Sequence, residues 1–214
     1  MACLGIHLNL LSQLHIPRWL ATSSGSFQVH VFCDASERAY GAALYFRSIE
    51  GDKTVIRLAC SKNRLAPVKK TILPRLELSV ALVGTRQLHY FSTATGYVIN
   101  QAILWSDATL ALGWIRSDPN RWKTFVSNRV TEIQTFMTPT QWRHCPRREN
   151  PADYLSCGLL GDQIQSLNVW WHGPSWLARP VEAWPTGTLS TCQSLVEEKS
   201  QAKPRTDSNH ACQS

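Results

Sequence analysis

The stretch QVHVFCDASERAYGAALYFRS, residues 28–48, decides how the chain folds. Its first part, QVHVFCD, alternates over a β-favouring run: Val29, Val31 and Cys33 take one face, and His30, Phe32 and Asp34 take the other. The polar turn ASERAYG follows, and AALYFRS from Ala42 reads as a second strand. A turn at residues 50–52 leads to TVIRLACS, a third. Short connections between such runs predict an antiparallel meander.

Beyond the meander the period changes. Pro74 suits a first helical turn, and Leu76, Val80, Val83 and Gln87 recur at helical spacing, so a helix is expected over about residues 75–91. Glu77 then falls in its first turn, facing the side of Val80 and Ala81. QAILWS, residues 101–106, reads as a fourth strand ending at Asp107, with a short helix following through Leu112 and Ile115. Trp122, Phe125, Val126, Arg129, Val130, Ile133 and Phe136 mark a longer helix closed by Pro139. QWRHC, residues 141–145, is a fifth strand; after PRRE, Asn150 is placed to cap a helix with Pro151 at its first position and Asp153 in its first turn. The order predicts an α/β domain: a five-stranded mixed sheet, three antiparallel strands and then two parallel additions, with helices packed on it.

Asp34 and Asp107 end predicted strands, while Glu77 and Asp153 begin predicted helices, and such ends converge on one crevice in open α/β sheets. Carboxylates gathered there repel one another unless cations compensate, and Mg²⁺ or Mn²⁺ prefers oxygen ligands of this kind. Asp is also an ordinary residue of turns and caps. The pattern alone leaves both readings open.

The words VHVFCDASERAYGAALYFRS, LPRLELSVAL, LWSDATLALGWI and WRHCPRRENPADYLSCG, with RLAPVKKTILPRLEL, RWKTFVSNRVTEIQ and WWHGPSWL, resemble the ribonuclease H domain of BEL/Pao-type retrotransposon polyproteins, which follows the reverse transcriptase. The resemblance spans roughly residues 8–180 and implies a ribonuclease H-like fold. It implies metal-dependent endonucleolytic hydrolysis of the RNA strand of an RNA–DNA hybrid, by a two-metal mechanism with Mg²⁺ or Mn²⁺. Asp34 in CDAS matches the first-strand aspartate, Glu77 in PRLEL the first-helix glutamate, Asp107 in WSDA the fourth-strand aspartate and Asp153 in ENPAD the last. His144 either matches the family's loop histidine, which assists proton transfer or product release, or serves structure or a phosphate contact. The partners implied are the hybrid and the reverse transcriptase and integrase regions of a parent polyprotein, with no membrane and no small-molecule organic cofactor.

One departure stands out. The family continues its last motif as NPAD-leu-ser-arg-gly, whereas this chain reads NPADYLSCG, with Cys157 in the arginine's place. With no protease, reverse transcriptase or integrase motif in the chain, that exchange supports an alternative: a catalytically inactive nucleic-acid-binding module or a decayed retrotransposon fragment.

Composition agrees with a polyanionic partner without requiring one. The chain has 214 residues, 43% of them hydrophobic, and 22 Lys plus Arg against 15 Asp plus Glu give a formal charge of +7. Lys62, Arg64, Lys69 and Lys70 precede the first helix, Arg116, Arg121 and Lys123 surround the second, and Arg143, Arg147 and Arg148 lie near the last. Each is a candidate phosphate contact that would position a hybrid without reading its sequence. Seven scattered cysteines without CxxC spacing, no secretory leader and no membrane-length apolar run point to reduced thiols and an intracellular protein, cytoplasmic or nuclear.

The expected organisation is a connecting segment over 1–25, whose leucines (Leu8 to Leu14) pack on the domain or on something upstream, the ribonuclease H-like domain over 26–160, a tryptophan-rich extension over 161–185 and a polar, flexible tail over 186–214. Trp105, Trp114, Trp122 and Trp142 sit within periodic elements and are expected in the core. Trp170, Trp171 and Trp176 either cover a face of the domain or pack against whatever follows in a longer chain.

Overall fold

The computed structural model describes residues 16, 27–96, 102–159, 162–186 and 197–198. The connecting segment over 1–25, apart from residue 16, and most of the polar tail lie outside the described residues.

Strand β1 (Phe27–Ala35) runs through the middle of a five-stranded sheet in the order β3-β2-β1-β4-β5. It pairs antiparallel with β2 (Ala39–Glu50), which pairs antiparallel with β3 (Lys53–Leu65). On its other side it pairs parallel with β4 (Ala102–Ser106), which pairs parallel with β5 (Trp142–His144). The mixed sheet is the one the sequence predicts, although β2 and β3 extend beyond their expected ends.

The alternation in β1 buries both of its faces, because the sheet is covered on both sides. Val29, Val31 and Cys33 meet helices α1 (Leu73–Thr95), α2 (Thr109–Arg116) and α3 (Thr124–Phe136) in the larger core, through Leu78, Leu112 and Val130 among others. Phe32 faces a second, aromatic core with Tyr45, Trp105, Trp170, Trp176 and Trp184. The tryptophan patch therefore closes the sheet's own second face, and Tyr45 fixes it there by donating its hydroxyl to Trp170 O at 2.7 Å. Trp105, Trp114, Trp122 and Trp142 are buried as expected.

Two glycines set the close approaches that shape the site. A Cβ at Gly84 of α1 would lie 2.5 Å from Cys33 Sγ, so only glycine lets this helix pack so near β1. A Cβ at Gly41, the β2 partner of Asp34, would lie 2.7 Å from the Cβ of Leu155 in the short helix α4 (Asp153–Cys157), which is thereby brought down beside Asp34.

Three local expectations are corrected. Helix α1 begins at Leu73 with Pro74 in its first turn and continues to Thr95, which places Glu77 in the second turn. Helix α3 begins at Thr124, and Trp122 precedes it after a 3-10 turn. Helix α4 begins at Asp153 with Ala152 at its cap, so Asn150 caps the turn ahead of it, accepting from Ala152 N–H at 3.1 Å. These starts differ from the expected ones by one or two residues, the ordinary spread at helix ends, which fray and often tighten into 3-10 turns.

Candidate active site

β1 and β4 are parallel neighbours with Cys33 opposite Ser106, so the residues that follow, Asp34 and Asp107, emerge side by side at their carboxyl ends. Helix α1 crosses beneath and supplies Glu77. Carboxylate oxygens of Asp34, Glu77 and Asp107 lie within 4.8 Å of one another. They line an open cavity of about 240 Å³ with Leu73, Pro74, Ala108 and Arg147.

The three acids are poorly compensated by protein. Asp34 and Glu77 are only 4% and 8% exposed, and no hydrogen-bond donor among the described residues reaches Glu77 Oε2 or Asp107 Oδ1. Burial, reinforced by Asp107 and Asp153, raises the Asp34 carboxyl to about 7, even though Ser156 Oγ donates to its Oδ2. Burial, with Asp107 and Asp34 adding repulsion, raises Glu77 to about 9. Asp107 is raised as well, mainly by burial, against the opposing pull of its own backbone amide and the Arg147 guanidinium. Each shift marks a charge that the surrounding protein fails to stabilise.

Asp153, on α4, lies beside this trio rather than within it: its charge acts on Asp34 and Asp107, and its Oδ1 accepts from the Cys157 thiol at 3.1 Å. That hydrogen bond is the first cause of the raised Cys157 thiol. His144 pairs with Ser106 across β4–β5, and its imidazole is close enough to act electrostatically on Asp107. Ser106 and Asn150 hold backbone rather than carboxylates: Ser106 Oγ accepts from Ala108 N at 3.2 Å, and Asn150 Nδ2 donates to Cys33 O at 3.0 Å.

The basic residues divide by position. Arg147 lines the crevice. Lys62, Arg64, Lys69, Lys70 and Arg148 are exposed, as are Arg121 and Lys123. Arg116 and Arg143 are engaged within the fold, one donating to Trp142 O at 2.6 Å and the other stacked over Trp105 and Trp184 at 5.9 and 5.7 Å. Sequence reading missed Ser156, although its place three residues after Asp153 puts it near the same helix face. Ser36 was also missed; its hydroxyl donates to Ser156 O at 2.7 Å and ties α4 to the end of β1.

No helix among the described residues is long and apolar enough to cross a membrane, and the described cysteines are free thiols. Residues 6–108 match the family model of the Pao retrotransposon-like RNaseH-like domain, a stretch that contains Asp34, Glu77 and Asp107. Among solved structures, the chain is similar to the N-terminal ribonuclease H domain of a Mycobacterium tuberculosis protein, as a fusion protein with maltose binding protein, at 15% identity and a TM-score of 0.42, covering 62% of this chain and 92% of that one. It is similar to LC11 ribonuclease H1 in complex with an RNA/DNA hybrid at 12% identity and a TM-score of 0.42, covering 65% and 99%. It is also similar to ribonuclease H1 of the archaeon Halobacterium salinarum NRC-1 at 14% identity and a TM-score of 0.35, covering 61% and 94%. Among curated proteins none matches the chain.

Proposed function

From the ribonuclease H-like domain that residues 6–108 match, we infer that the chain hydrolyses the RNA strand of an RNA–DNA hybrid at the acidic crevice. One observation carries this reading: Asp34, Glu77 and Asp107 converge to within 4.8 Å with too few donors to stabilise their charge. An all-oxygen set with uncompensated negative charge fits hard divalent cations such as Mg²⁺ or Mn²⁺. Asp34, Glu77 and Asp107 would hold them, with Asp153 contributing from α4. Two such ions, when bound, supply activation of a water and stabilisation of the departing oxygen in phosphodiester cleavage.

The chain's own residues prepare that chemistry. Ser156 fixes the rotation of the Asp34 carboxylate through its hydrogen bond to Oδ2. Arg147 offsets part of the crevice's charge and stands where a phosphate would enter. His144, near enough to act electrostatically on Asp107, assists proton transfer or contacts phosphate. Lys62, Arg64, Lys69, Lys70 and Arg148 hold the hybrid by its backbone, and RNA is told from DNA by its 2′-hydroxyls in the shallow minor groove. The working unit is residues 26–160, with Trp170, Trp176 and Trp184 of the extension closing the second sheet face.

A second reading, a binding module without turnover, is favoured by Cys157 on the helix that carries Asp153. The test is cleavage of an end-labelled hybrid by the purified chain with Mg²⁺ or Mn²⁺ and with chelator, beside Asp34→Asn. The expected result is metal-dependent cutting of the RNA strand that falls by about a thousandfold or more in the variant. Wild-type protein that folds and binds hybrid yet cuts nothing would establish the second reading instead.

A further inference from the structure

Away from the acidic crevice, two tail carboxylates are seated on a set of donors that no part of the proposed chemistry uses. Arg75 Nε donates to Glu197 Oε1 at 2.7 Å, and Arg121 Nη2 donates to Glu198 Oε1 at 3.0 Å. Between them the Lys123 amide donates to Glu197 O at 2.7 Å, and Trp122 and Glu198 form an antiparallel bridge. Both guanidinium groups are held in place by rings: Arg75 lies 4.7 Å from the centre of Phe125, and Arg121 lies 5.4 Å from that of Trp122. Planar, ring-supported guanidinium groups with an amide between them suit the oxygens of a polyanion.

The carboxylates that sit there are imperfect occupants. Glu197 is 2% exposed, yet its Oε2 has no hydrogen-bond partner among the described residues, so burial leaves half of the carboxylate unsatisfied there. The Arg121–Glu198 pair is exposed, and such pairs hold weakly. A phosphodiester backbone would present oxygens to the same donors without burying an orphan. The place is also suitable: Arg75 stands two residues before Glu77 on α1, at the helix end that borders the crevice.

We propose that Arg75, Arg121 and the Lys123 amide form a second phosphate-backbone subsite, and that Glu197 and Glu198 occupy it as an internal competitor of nucleic acid. The proposal rests on the reading of the chain as a hybrid-binding protein, but not on its cutting anything. The tail's two charges then act locally, as mimics of phosphate, and not only through the net charge of the molecule.

The experiment is fluorescence anisotropy of a labelled RNA–DNA hybrid with the full chain, in chelator so that no cleavage intervenes, over a series of salt concentrations. Glu197→Gln/Glu198→Gln is expected to tighten binding about tenfold at low salt and to steepen the salt dependence by about one phosphate contact. Adding Arg75→Ala to that variant is expected to remove the gain. Asp52→Asn/Glu182→Gln, which removes two exposed charges elsewhere, is the control for net charge. Unchanged affinity in the tail variant, an equal gain in the control, or a gain that survives Arg75→Ala would each overturn the subsite. Hybrid bound by none of the proteins would overturn the subsite together with the nucleic-acid reading, whereas hybrid bound equally by all would overturn the subsite alone.

Discussion

His30 and Asp34 share one face of β1, both are buried, and each is driven towards its neutral form by burial, yet their surroundings give that common shift opposite meanings. His30 lies in the aromatic core. Its Nδ1 accepts from Trp105 Nε1 at 3.1 Å, its ring meets Trp184 edge-on at 5.2 Å, and burial with Arg47 and Arg143 nearby lowers it to about 3. A neutral imidazole is content there, even with Nε2 lacking a partner among the described residues. Asp34 sits at the other end of the strand, among acids that repel it, facing an open cavity. A buried polar atom without a partner is therefore no sign of a site by itself. Like charges gathered at an opening are, because something from outside can relieve them.

The comparison breaks most visibly in stability. Trp105 is fully buried, lies nearly parallel to Phe32 at 5.9 Å and packs 4.8 Å from Trp176. Trp105→Ala is expected to lower unfolding free energy by about 3–5 kcal/mol in a urea titration, from the cavity and the lost packing. Metal-free Asp34→Asn, two residues beyond Phe32, the β1 partner of Trp105, is expected to move the other way, because it removes repulsion and not packing. Equal losses in the two variants would mean that the crevice acids support the fold as the aromatic core does.

Acidity separates the two ends next. A carboxyl whose folded-state pKa exceeds its unfolded value binds its proton more tightly when folded. The stability contributed by Asp34 and Glu77 is thus fully present below their ordinary values, 3.8 and 4.5, and is lost as pH rises through about 7 and about 9. Metal-free protein should lose several degrees of Tm between about pH 5 and about pH 9. Saturating Mg²⁺ should flatten the profile, since the ion binds the folded form alone. Asp34→Asn/Glu77→Gln should flatten it without metal. A Tm that falls just as steeply in that variant would assign the pH dependence to other groups and count against metal binding by these acids.

What the sequence disclosed and what it hid follow the same division. The alternation from Val29 to Asp34 was readable because a strand's period is local, and it located both faces of the sheet and the first acid. The motif words around Glu77 and Asp107 marked the two acids that the fold brings beside Asp34. The start of α1 differs from the expected one because Pro74 fits more than one place in a first turn. Trp184, which closes over His30 and Arg143, stands outside every periodic run. Glu197 was illegible: it meets Arg75 across 122 residues, and nothing in a polar tail announces such a partner.

The smallest effect tests Cys157, which stands where the phrase that the last motif resembles has arginine. Cys157 is exposed on α4, and its thiol donates to Asp153 at 3.1 Å, where an arginine would bring a cation. Cys157→Arg is expected to tighten hybrid binding about threefold at low salt and to steepen the salt dependence by about one contact. The comparison variant is Val181→Arg, which adds the same charge at an exposed position beside Trp184 on the aromatic side and is expected to leave binding nearly unchanged. If both variants tighten binding alike, the gain is one of net charge and the two regions do not differ in what they face. If Cys157→Arg alone does so, hybrid passes over α4, and the cysteine weakens that binding while Asp34, Glu77 and Asp107 stay in place.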